Sequence, residues 1–216
     1  MGVLLSPIYE PIGMNAIRFT SCIILRICLQ VLWPRSQNHL KRDDISDPIQ
    51  LLAAGLRNIS RPSAILHTLV QNVNTPSEAA FQAALYSAFN GLVPETMMCL
   101  FEPRSEGREN LDLMMIDNGN KWAGYELKVN KRTEANFKGT DKNPGPLPQA
   151  ERYATHHNIT IYLVNFVPSS GAIPVFPKDT PLGVEVVNVR HNDECTKFYI
   201  STVDGRQFDV SVIDQS

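Results

Sequence analysis

Residues 95–101, 110–117 and 121–129 form three short apolar runs in close succession, and Asn118-Gly119 separates the last two. An Asn-Gly pair between such runs is a strong signal for a two-residue hairpin, because both of its residues accept positive φ. The chain is therefore expected to build a meander of three strands. Into these runs the sequence sets Asp112, Glu126 and Lys128. Glu126 and Lys128 are two apart and must share one face of their strand. Three charges inside apolar strands are costly unless they serve one another or a cation.

Parity gives this grouping a geometric condition. Across a regular two-residue turn at Asn118-Gly119, Asp112 faces Tyr125, and Glu126 falls on the opposite face of the sheet. Convergence of Asp112 and Glu126 requires either a loop of odd length or a bulge, for which Gly124 is a candidate position.

Around the meander the pattern is mixed helix and strand. Thr75-Pro76-Ser77-Glu78 reads as a capping box with proline at the first helical position, opening a helix to about Asn90-Gly91. In that reading Glu78 caps the backbone as the third helical residue, and it also heads the face carrying Phe81, Leu85 and Phe89. A second helix carries Gln149 and Tyr153, four apart and on one face. The apolar run 159–167 is suited to a buried strand. Runs 183–190, 195–203 and 206–213 read as a closing meander with Asp204-Gly205 as its last turn, after a long proline-rich loop at Pro168, Pro174, Pro177 and Pro181.

The chemistry that two carboxylates and a lysine offer is phosphodiester hydrolysis. Asp112 and Glu126 supply hard oxygen ligands for Mg2+ or Mn2+, and the main-chain carbonyl of Leu127 is a further candidate. Such a cation polarises a phosphoryl group and lowers the pKa of water. Lys128 can orient that water and offset charge in the transition state. The same acids also fit a non-enzymatic reading, in which they cap helices and pair with lysines.

The succession Glu78, Asp112, Glu126-x-Lys128, across residues 75–167, resembles the PD-(D/E)xK restriction-endonuclease-like nuclease superfamily. The resemblance implies an α/β (α+β) fold whose core is a helix, a three-stranded meander, a helix and a strand. It also implies that Asp112 and Glu126 are the metal ligands, Lys128 the catalytic lysine and Glu78 a supporting helical acid. Gln149-x-x-x-Tyr153 resembles the glutamine and tyrosine pair of several branches, which can present an amide and a hydroxyl to the site or to a phosphate. The family's proline is missing next to Asp112, which sits in Gly107-Arg108-Glu109-Asn110-Leu111-Asp112. That wording, with Tyr125-Glu126-Leu127-Lys128 downstream, is most similar to nuclease domains of Crinkler and retrotransposon-hotspot effectors. Those commonly follow a P-loop NTPase domain, whereas no Walker motif occurs here. The resemblance implies a nucleic-acid partner, DNA more than RNA. The alternative is an inactive nuclease fold that binds nucleic acid or a host protein, and homodimerisation stays open.

Residues 130–146 hold Lys131, Arg132, Lys138 and Lys142 against Glu134 and Asp141, in what reads as a mobile loop that either tracks a phosphate backbone or is merely solvated. Arg108 and Arg152 are further candidates for nucleic-acid contact. A net charge of -2 gives no global basic field, so such binding must rest on a local patch. No aromatic ladder or helix-turn-helix pattern suggests base reading, and His156 and His157 read as partners of a helix C-terminus.

With 43% apolar and 19% charged residues, a chain of 216 residues has the composition of a folded protein. The expected division is a helical N-terminal extension over 1–74 and the nuclease-like domain over 75–216. In the first part, 37–47 reads as a polar linker and 48–59 and 62–73 as helices, with Asp47-Pro48 as a cap and first helical residue. The apolar stretch 22–33 is shorter than the roughly 20 residues a membrane span needs, and it contains Arg26. Met1-Gly2 opens a pattern compatible with myristoylation or with an ordinary loose terminus. Cys22, Cys28, Cys99 and Cys195 form no C-x-x-C pair and read as small core residues.

Overall fold

In a computed structural model the described residues are 40–60, 62–66, 75–103, 110–140 and 142–213. The stretch 22–33, Gly2, Cys22, Cys28 and Arg108 lie outside them, as does most of the helix expected over 62–73.

The meander forms as strands β1 (Met97–Phe101), β2 (Leu113–Asp117) and β3 (Asn120–Val129). Asn118 and Gly119 have φ of 48° and 80°, as a tight turn of this kind requires. Asp117 pairs with Asn120 and Ile116 with Lys121, but Met115 pairs with Ala123, so Trp122 is an extra residue. This bulge supplies the parity that the turn does not, and it sits at Trp122 rather than Gly124. Gly124 has another reason to be glycine. A Cβ there would lie 2.6 Å from Ile161 Cδ1 and 2.7 Å from Leu111 Cδ2.

The meander is one side of a seven-stranded mixed sheet in the order β1-β2-β3-β6-β7-β8-β9. β6 (Ile161–Pro168) and β7 (Val184–His191) run parallel to β3. The remaining pairs are antiparallel, so β7, β8 (Lys197–Thr202) and β9 (Gln207–Ser211) make the expected closing meander. Every residue of β6 is buried, because helices cover both faces of the sheet at its centre.

On one face, α1 (Pro48–Arg57), α2 (Pro62–Leu66) and α3 (Glu78–Leu92) pack on the strands. Asp47 accepts from the Ile49 amide and Pro48 opens α1, so the expected cap is present. Ile49, Leu52 and Leu56 then join Phe81, Leu85, Phe89, Leu127 and Phe166 in one core. Residues 45–59 thus pack within the same core as the strands, and the division expected at residue 74 is not a break in packing. Phe81 stacks on Phe166 with ring centroids 3.9 Å apart.

On the other face lies α5 (Pro146–His157), which buries Leu147, Ala150, Tyr153 and Ala154 against Leu111, Ile161, Leu163 and Val186. It ends at Asn158, whose φ of 53° closes the helix in the left-handed region. The described residues of the segment 130–146 hold more regular structure than the expected mobile loop. They contain the one-turn helix α4 (Glu134–Lys138), capped by Thr133, and a short ladder between β4 (Gly139–Thr140) and β5 (Asn143–Pro144). Among the described residues, no helix is long and apolar enough to cross a membrane.

The exposed side of β1 is partly closed by its own neighbours. Asn90 of α3 accepts from the Cys99 amide at 3.3 Å, and the Pro94 carbonyl accepts from the Met97 amide at 3.0 Å. Pairing with a further strand is correspondingly blunted.

Candidate functional site

Lys128 links three carboxylates held on three different segments. Its ammonium is 2.7 Å from Glu126 Oε1 and 3.5 Å from Glu78 Oε2, and its charge also acts on Asp112. Glu126 and Lys128 share a face because they are two apart on β3. Continuing the register set by the bulge places Asp112, one residue before β2, opposite Glu126.

Asp112 is tied down at both ends. Its Oδ2 accepts from the Leu127 amide at 2.7 Å, while its carbonyl accepts from Gln82 Nε2 at 3.1 Å and from the Glu102 amide at 3.0 Å. Because the N–H and C=O of one extended residue point to the same side of a strand, the Leu127 carbonyl also faces the Asp112 side.

Glu78 differs from its expected position. Ser77, not Thr75, is the N-cap, and its hydroxyl accepts from the Ala80 amide at 3.2 Å. Glu78 is therefore the first residue of the helix rather than the third, and its carboxylate extends to Lys128 instead of closing a capping box. Pro76 accordingly lies before the helix and not at its first position.

Burial dominates the electrostatics. It pushes the Asp112 carboxyl up to about 6, against the Leu127 amide and Lys128, which favour the charged form. Glu126 is pushed up to about 7 by burial and then by the Asp112 charge, with Lys128 opposing. For Lys128, burial acts downward but Glu126, Glu78 and Asp112 together hold the ammonium above its ordinary value. The carboxylates are thus short of positive charge, and the lysine is firmly protonated.

Glu126 is 1% exposed, and its second oxygen, Oε2, is buried with no hydrogen-bond partner. Once ionised, a carboxyl oxygen in this condition fits the hard donor set of Mg2+ or Mn2+. Asp112 and the Leu127 carbonyl are the neighbouring oxygen donors. Among the described residues, no cluster of three or more His, Cys, Asp or Glu side chains is placed to hold a metal ion. The candidate set is accordingly two carboxylates and a main-chain oxygen.

Gln149 and Tyr153 come together on α5 but turn to each other and to the backbone. Gln149 Nε2 donates to the Tyr153 hydroxyl at 3.0 Å, which donates to the Asn110 carbonyl at 2.8 Å. Tyr153 is buried, so its hydroxyl secures the approach to Asp112 instead of being offered to a phosphate.

The expected cations differ in their commitments. The Arg132 guanidinium donates to Asn130 Oδ1 at 2.7 Å and to the Ala172 carbonyl. Lys138 pairs with Glu134 at 2.8 Å and with Asp179 at 3.4 Å. Both are therefore engaged within the protein. Lys142 and Arg152 are exposed, and Lys131 is half-buried. His156 and His157 do lie in the last turn of α5, with His157 Nδ1 3.2 Å from Lys121 Nζ. Burial, then Lys121 and His156, lowers the His157 pKa to about 4, which opposes the charged role expected at a helix C-terminus.

Sequence reasoning passed over Gln82, Asn165 and Asn188. Gln82 is a buried amide one turn after Glu78, and each asparagine is a lone amide between apolar neighbours in its strand. That isolation was the available signal, since a polar side chain in such a strand must be hydrogen-bonded.

Comparison with protein-family models, curated proteins and solved structures gives no match for the chain.

Proposed function

We propose that the chain hydrolyses phosphodiester bonds in nucleic acid with Mg2+ or Mn2+. In this reading the succession α3, β1, β2, β3, α5, β6 is a restriction-endonuclease-like core. The observation that carries it is the meeting of Glu78 and Glu126 on Lys128, with the Asp112 charge acting on the same groups and with Glu126 Oε2 buried and without a hydrogen-bond partner. A purely structural ion pair has no need of a second inward acid beside Glu126.

Asp112 and Glu126, with the Leu127 carbonyl, would hold the cation. When bound, it supplies Lewis acidity toward a phosphoryl oxygen and makes water a stronger acid. Lys128, kept protonated by its three acids, donates hydrogen bonds to the phosphoryl oxygens as negative charge develops. The Leu127 amide fixes Asp112 Oδ2, and Tyr153 fixes the Asn110 backbone that leads to Asp112. Glu78 holds Lys128 from the solvent side, so that its ammonium is not committed to Glu126 alone. Nothing among these contacts reads bases, which favours recognition through the backbone of DNA or RNA.

A second reading has one observation in its favour. Lys128 already neutralises Glu126 at 2.7 Å, as it would in a nuclease fold that binds nucleic acid or a host protein without cutting it. Cleavage of plasmid DNA and single-stranded RNA with Mg2+, Mn2+ or EDTA separates the two. Metal-dependent products support hydrolysis, and their absence on both substrates supports the binding protein.

A further inference from the structure

Asn165 of β6 and Asn188 of β7 stand at matching positions, each between two buried apolar neighbours. Lys128 pairs with Asn165, and Asn165 pairs with Asn188, so the three form one row across the parallel strands. Both asparagines are fully buried. Burying two amides here is unfavourable unless their hydrogen bonds are used, and Asn188 meets this only in part: its Oδ1 accepts from Asn165, while its Nδ2 has no partner among the described residues.

Those of Asn165 are spent on the chain that leaves the site. Its Oδ1 accepts from the Lys131 amide at 2.9 Å, and its Nδ2 donates to the Lys131 carbonyl at 2.7 Å and to Asn188 Oδ1 at 2.8 Å. Lys131 is thus gripped on both sides of its α-carbon, three residues beyond Lys128. Asn130 reinforces the turn with a φ of 56° and an amide bond to the Phe166 carbonyl at 2.8 Å. The pairing of Asn165 also fixes the orientation of Asn188, since a reversed amide would set two donors against each other.

The gripped residue is a cation whose ammonium meets no carboxylate among the described residues. Arg132 and Lys138 are held by Asn130, Ala172, Glu134 and Asp179. Among the described residues, the Lys131 ammonium has no such partner. A backbone fixed by two buried hydrogen bonds and a side chain left unpaired is an arrangement suited to an external anion.

We propose that Asn165, backed by Asn188, is a positioning residue that presents Lys131 to a phosphate of a nucleic-acid backbone. This inference rests on the nuclease reading and adds to it the point at which the strand beside the cleaved bond is held. Lys131 neutralises one phosphate, and Asn165 sets where its ammonium emerges.

The test is binding of a fluorescent DNA duplex in EDTA over a range of salt concentrations, for the native chain, Lys131→Ala, Asn165→Ala, the double variant and Lys131→Arg. One lost phosphate contact lowers the slope of log K against log salt by about 0.9. That reduction is expected for Lys131→Ala and for Asn165→Ala, with no further reduction in the double variant and a native slope for Lys131→Arg. A role of Asn165 in folding alone would leave the slope native. If the native chain binds and cuts but Asn165→Ala keeps the native slope, or the two substitutions add, the positioning role is overturned and the nuclease reading stands. If the native chain neither binds nor cuts, both fall. Should Asn165→Ala fail to fold, Lys131→Ala still decides, because native binding and slope in that variant overturn the proposal.

Discussion

Glu126 and Lys128 stand two residues apart on β3 with their charged ends 2.7 Å apart, the carboxylate 1% exposed and the lysine side chain 14%. A pair of this kind stabilises little by existing but costs much to break, because removal of one partner strands the other charge in a poorly solvated place. Lys128→Met should therefore destabilise the fold by about 3 kcal/mol at pH 8. At pH 5 the loss should shrink, since Glu126 can then take a proton. Urea denaturation at the two pH values checks this, and equal losses would show that Glu126 does not depend on Lys128.

The acids also set an overall pH response. Asp112 and Glu126 are pushed up to about 6 and 7 by burial first, so the native chain keeps protons that the unfolded chain has released. Their contribution is present below the unfolded carboxylate range and is lost as pH rises through those values. His157 works the other way. Its pKa of about 4 lies below the ordinary histidine value, so its contribution is lost as pH falls toward 4. The double variant Asp112→Asn, Glu126→Gln should lose the decline in stability that the native chain shows between pH 5 and 8, and its stability should rise with pH between 4 and 6.5. Denaturation midpoints across this range measure both effects.

Mg2+ or Mn2+ should raise the melting temperature of the native chain at pH 8, because a ligand bound only by the folded state stabilises it by mass action. The increase should vanish in Asp112→Asn and in Glu126→Gln. Differential scanning fluorimetry with Ca2+ and EDTA controls is sufficient, and an unchanged shift in either variant would place the cation elsewhere.

The Tyr153 hydroxyl is buried, donating to the Asn110 carbonyl at 2.8 Å and accepting from Gln149 Nε2 at 3.0 Å, so Tyr153→Phe removes two neutral hydrogen bonds and little packing. The expected loss is about 2 kcal/mol. Gln149→Ala should cost less, because its amide reaches only the Tyr153 hydroxyl from a half-buried position. Chemical denaturation of the two variants orders them directly.

Much of the fold was legible because its signals are local. Asn118-Gly119, Asp47-Pro48 and the apolar run at 159–167 each name their element through backbone preference and burial. The bulge at Trp122 was legible only as a requirement. Parity demanded an irregularity, but Arg42 stacking over Trp122 at 5.6 Å is a tertiary contact with no counterpart in the local sequence. The capping of α3 went to Ser77, while the Thr75 hydroxyl is buried without a hydrogen-bond partner. In the site, Asp112, Glu126 and Lys128 stood out as charges within apolar runs. The roles of Gln82, Asn165 and Asn188 stayed hidden because their partners are main-chain groups, which carry no sequence signature.

The most direct measurement is cleavage of plasmid DNA and single-stranded RNA by the native chain, Asp112→Ala and Lys128→Ala in Mg2+, Mn2+ and EDTA. The account predicts metal-dependent cutting by the native chain that falls by a factor of at least about 100 in each variant, as expected when a group acting on transition-state charge is removed. Cutting that survives both substitutions, or a folded native chain inert toward both substrates in every metal, would contradict it.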